Sequence, residues 1–81
     1  MNLTNNLIDS IYDLSKSLDI DDRSALSYFL RGKVYADVGD AGKAISDLEK
    51  AIELGLDPIF LEGAEELLAD LRWQIVKKFV K

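Results

Sequence analysis

The chain has 81 residues, enough for one small domain, which buries only about 60% of the surface its unfolded form exposes. Hydrophobic residues make up 48% and charged residues 31%, a balance that argues against disorder. The net charge of −5, with neither Cys nor His present, disfavours nucleic acid and anionic membranes as partners; it also removes thiol chemistry, the commonest general base and the commonest metal ligand.

The opening stretch MNLTNNLIDSIYDL has no basic leader and carries Asp9 and Asp13 inside its apolar run, unlike a signal peptide. No apolar run approaches the ~18 residues of a membrane span. The expectation is a soluble, cytoplasmic chain. Periodicity is helical throughout, since β-branched residues nowhere alternate with polar ones over a strand's length.

A first helix is expected over 4–17, with Thr4 as its N-cap. Leu7, Ile11, Leu14 and Leu18 recur at spacings of four, three and four and make a core-facing stripe, widened by Ile8 and Tyr12. A second helix is expected over 22–38, capped by Asp21 or Asp22. Leu26, Tyr28, Phe29, Leu30, Val34, Tyr35 and Val38 leave it almost no polar side, so it should be covered on several sides. Gly39 then supplies a left-handed stop, and Asp40 caps the next helix at once.

The third helix is expected over 41–54, with Ala44, Ile45, Leu48, Ala51 and Ile52 on one face and Gly55 at its end. Asp57 caps the fourth, expected over 58–80, and Pro58 takes its first position, where a missing N–H costs nothing. This helix carries two stripes. Ala64, Leu68, Leu71, Ile75 and Phe79 form one; Ala69, Trp73, Val76 and Val80 lie on nearly the opposite side. Either could face inward. A terminal helix of a stacked domain should be polar outside, and Trp is the residue most enriched in interface hot spots, so Ala69, Trp73, Val76 and Val80 are a candidate interface.

The segment RGKVYADVGDAGKAISDLEKAIEL explains the small residues. Two helices joined by so short a turn must lie close, and Gly or Ala lets the partner's ridges drop in. Gly32, Ala44 and Ala51 are the candidates for that contact, with Tyr28, Tyr35 and Leu48 packing around it. A mid-helix Gly costs about 1 kcal/mol relative to Ala, so Gly32 needs a packing reason.

Tyr28-x-x-Arg31-Gly32-x-x-Tyr35, followed by Ala44-x-x-x-Leu48 and Ala51, resembles the tetratricopeptide repeat, whose pattern W-x2-L-G-x2-Y…A-x3-F…P spans roughly 34 residues. Tyr28 stands for Trp, Arg31 for Leu and Leu48 for Phe, and Pro58 arrives two residues late. The resemblance covers 25–58, and neither flank repeats the pattern. It implies an all-α, single-domain chain: one helical hairpin between two capping helices. It also implies a non-catalytic protein-interaction module that holds a peptide or helix of another protein. The groove of such a module would be lined here by Leu26, Phe29, Lys33, Ala36 and Asp37, with Lys33 meeting a carboxylate and Phe29 giving an apolar contact. Cover of Leu26 and Phe29 by the first helix is the competing expectation.

A homodimer through Trp73, or a small acidic regulator of another protein, are the alternative functions. Asp19-Ile20-Asp21-Asp22 lacks the alternating ligands, central Gly and terminal Glu of a calcium loop. No His activates any Ser, and no Gly-rich loop continues as a phosphate cradle. No catalytic residue, cofactor or metal site is therefore expected.

Overall fold

The computed structural model describes residues 3–79 and is all-α: four helices and no strand among the described residues. These are α1 (Leu3–Ile20), α2 (Ala25–Val38), α3 (Ala41–Glu53) and α4 (Pro58–Phe79). Each helix packs on the next in chain order, giving a flat slab of 43 × 34 × 19 Å. Helix α2 also reaches α4 through Phe29 and Phe60, whose ring centroids are 5.4 Å apart.

Two of the three connections fall where glycine, acid and proline punctuate the sequence. Gly39 (φ +90°) and Gly55 (φ +89°) both adopt the left-handed conformation. At the first, the Gly39 N–H donates to the Ala36 carbonyl and the Asp40 N–H to the Tyr35 carbonyl; at the second, Gly55 donates to Ile52 and Leu56 to Ala51. The pairing is the same twice: a six-to-one bond enclosing a five-to-two bond, which satisfies helix-end carbonyls. Asp40 then caps α3 by accepting the Lys43 N–H at 3.1 Å. Asp57 accepts the Ile59 N–H at 2.9 Å ahead of α4. Leu56, inside the second turn, is buried in the core.

The third connection differs from expectation. Helix α1 runs on to Ile20 instead of ending at 17, because Leu18 is buried and no breaker interrupts the ladder. The Asp21 N–H still donates to the Ser17 carbonyl. Neither Asp21 nor Asp22 caps α2. Asp21 accepts the Arg23 N–H at 3.0 Å and shapes the turn, while Ser24 is the N-cap, accepting from the Ser27 N–H. At the chain start, backbone is already helical at Leu3, and the side chain of Thr4 lies outside the described residues.

The core joins α2, α3 and α4 through Phe29, Ala44, Leu48, Ala51, Leu56, Ala64, Leu68 and Leu71. Leu48 is the largest side chain with no accessible surface. It sits against Gly32: a Cβ there would stand 3.0 Å from Leu48 Cγ and 3.2 Å from the Ala44 carbonyl oxygen. That is the packing reason for the glycine.

Candidate functional site

The α2–α3 seam carries a polar lock beside this contact. The Arg31 Nε and Nη2 donate to the two carboxylate oxygens of Asp47 at 2.7 and 2.8 Å, and Nη1 donates to Ser15 Oγ at 3.1 Å. One guanidinium thus ties α1, α2 and α3 together. Its Cζ stands 5.6 Å from the Tyr28 ring centroid and 5.8 Å from that of Tyr35, positions where a cation is favoured. Asp47 is 6% exposed, and a carboxylate that deep requires such a partner. The hydrogen bond to Asp47 raises the Arg31 pKa above its ordinary value, and partial burial opposes it. Sequence reasoning missed this pair. The available signal was Asp47 itself, a lone charge one residue from Leu48 on the apolar face of α3.

The five groove residues divide. Leu26, Lys33 and Asp37 are exposed along one side of α2, with half-buried Ala36 against the core. Phe29, expected to contact a ligand, is 6% exposed. It is covered by Phe60 of α4 and by Lys33, whose Nζ stands 5.4 Å from the ring centroid. Helix α1 does not shield Leu26, which remains 44% exposed. With Leu30, the exposed residues make a stripe at spacings of four, three and four.

That stripe borders an open cleft of about 420 Å³ between α1 and α2. Leu14, Leu30 and Val34 give it an apolar lining, and Ser10, Asp13, Lys33 and Asp37 a polar one. Lys33 and Asp37 of the expected groove both line this cleft, together with Leu14, Leu30 and Val34, which the sequence presents only as core. Hydrophobic spacing does not distinguish a filled contact from a gap. A second cleft, lined by Tyr28, Arg31, Ser46, Asp47, Glu49, Lys50 and Glu53, is polar, and Arg31 and Asp47 are already engaged there.

On α4 the two stripes separate. Ala64, Leu68 and Leu71 are buried, while Phe79 at the far end of the same stripe is 82% exposed. On the opposite side Ala69, Trp73 and Val76 are exposed, Trp73 by 61%, and Val80 lies outside the described residues. Pro58 is exposed at the first position of α4. The residues expected to pack together in the hairpin (Tyr28, Gly32, Tyr35, Ala44, Leu48 and Ala51) all belong to or border the seam.

Compared with protein-family models, with curated proteins and with solved structures, the chain matches none.

Among the described residues, no group of three or more His, Cys, Asp or Glu side chains is placed to hold a metal ion. No helix among them is long and apolar enough to cross a membrane. Exposed apolar side chains include Leu30 in the α1–α2 cleft and Trp73 and Val76 on the outer side of α4, with Ile8, Tyr12, Ile20, Ile59 and Phe79 exposed elsewhere.

Proposed function

We propose that this chain is a non-catalytic protein-interaction module of tetratricopeptide-like architecture, binding a peptide or short helix of another protein. The α1–α2 cleft carries the reading. It combines an apolar lining of Leu14, Leu30 and Val34 with charged groups, the combination that gives a peptide site both affinity and orientation. The α2 stripe of Leu26, Leu30, Lys33 and Asp37 extends that surface along the helix. Asp13 and Asp37 outnumber Lys33 in the lining, so the fitting partner inserts an apolar side chain and places a basic group beside it. The family architecture rests on the spacing of Tyr28, Gly32, Tyr35, Ala44, Leu48 and Ala51 alone.

A displayed random-peptide library selected on the purified chain tests the reading. The selected peptides should carry an apolar residue next to Lys or Arg. Their amide shift changes in NMR titration should centre on Leu14, Leu30, Lys33 and Val34, and Val34→Glu should abolish binding. Enriched peptides whose shifts cluster elsewhere would refute the cleft as the site.

A further inference from the structure

The outer side of α4 is a second surface, separate from the cleft, and its pattern goes beyond the reading above. Ala69, Trp73 and Val76 fall within about 60° of one another around the helix, and all three are exposed. The charges of α4 are segregated along its length: exposed Glu62, Glu65, Glu66 and Asp70 precede exposed Arg72, Lys77 and Lys78.

We propose that a second copy of this chain covers the stripe, the two α4 helices packing antiparallel about a two-fold axis at the level of Leu71. In that register each Ala69 lies beneath the other copy's Trp73, a small residue receiving a large one. Glu66 stands about 7.5 Å to one side of the axis and Lys77 about 9 Å to the other, on the same flank of the stripe. The two-fold rotation therefore sets each Glu66 opposite the other copy's Lys77. A parallel pairing would set acid on acid and base on base. Arg72 is held within its own chain by Glu49 at 2.6 Å and stays out of the pairing. The contact is the same patch on both copies, so assembly closes at two.

Light scattering on the full chain across a wide concentration range tests this. The molar mass should rise from 9.1 kDa toward twice that value, and Trp73→Asp should hold it at the monomer value with an unchanged helical circular-dichroism spectrum. Glu66→Lys and Lys77→Glu should each weaken self-association about tenfold, since each puts like charges across both symmetric contacts. Mixing those two variants should restore it, because both contacts of the mixed pair are again opposite in sign. A wild-type mass that stays monomeric throughout overturns the proposal. So does a Trp73→Asp variant that pairs as tightly as wild type, or a mixture no tighter than either variant alone. Peptide binding at the α1–α2 cleft is read separately and survives or fails independently of these results.

Discussion

The α2–α3 seam and the outer side of α4 are made of the same kinds of residue and meet opposite fates. The seam sets Gly32, Ala44, Ala51 and Leu48 among Tyr28 and Tyr35; the α4 face sets Ala69 and Val76 beside Trp73. In the seam, Ala44, Leu48 and Ala51 have no accessible surface, and a polar lock fastens the margin. On α4, Trp73 and Val76 face outward. Composition does not decide which surface becomes core. The short Gly39–Asp40 turn does, because it delivers α3 to α2, whereas no described element is delivered to the outside of α4.

Substitutions at three levels of effect separate the two regions. The largest effect is expected at Leu48. Leu48→Ala leaves a cavity in a site already pinned by Gly32, and should cost about 3 to 4 kcal/mol in denaturant unfolding. In the dilute monomer, the equivalent truncation on the α4 face, Val76→Ala, should fall within about 0.5 kcal/mol, as surface changes do.

Next comes the polar lock. Arg31→Leu strands the Asp47 carboxylate and should cost about 3 kcal/mol, while Arg31→Leu combined with Asp47→Leu should recover most of that loss, because an apolar pair needs no solvation. A double-mutant cycle measures the difference. The penalty of the single variant should be constant over neutral and mildly alkaline pH. A pKa raised on folding, as for Arg31, contributes stability that is fully present below the unfolded pKa. It is lost only as pH climbs through the higher folded value, well outside that window.

The smallest effects have opposite signs. Gly32→Ala gains helix propensity of about 1 kcal/mol, but its methyl meets Leu48 Cγ at 3.0 Å, and overpacking of that kind costs about 1–3 kcal/mol; the net change should be destabilising. Gly63→Ala on α4 meets nothing within 4 Å and should stabilise by about 0.5–1 kcal/mol. Equal changes in Tm for the two variants would contradict the close approach in the seam.

Much of the fold was legible in the sequence where a residue type forces backbone conformation. Gly39, Asp40, Gly55, Asp57 and Pro58 each fix a terminus for a local reason, and the two later connections follow from them. The α1–α2 turn was less legible because Asp21, Asp22 and Ser24 all suit an N-cap. Burial of Leu18, a tertiary fact, decides among them by carrying α1 to Ile20. The faces of α4 were ambiguous for the same reason: both stripes are apolar, and only the position of α3 selects Ala64, Leu68 and Leu71. Phe29 looked available to a ligand because Phe60, its cover, comes from a helix 31 residues later in the chain. The cleft and the Arg31–Asp47 pair arise between helices, where spacing along one helix carries little information.

In the proposed division of labour, the seam holds the fold while the outer face of α4 serves a second copy of the chain. The dependence of Tm on protein concentration, for wild type and for Trp73→Asp, tests both halves at once. The wild-type Tm should rise with concentration, and that of Trp73→Asp should stay flat at the dilute wild-type value. A Trp73→Asp variant that melts far below the dilute wild type would show that Trp73 holds the monomer together, and a wild-type Tm independent of concentration would show that no second copy uses the face; either result contradicts this division.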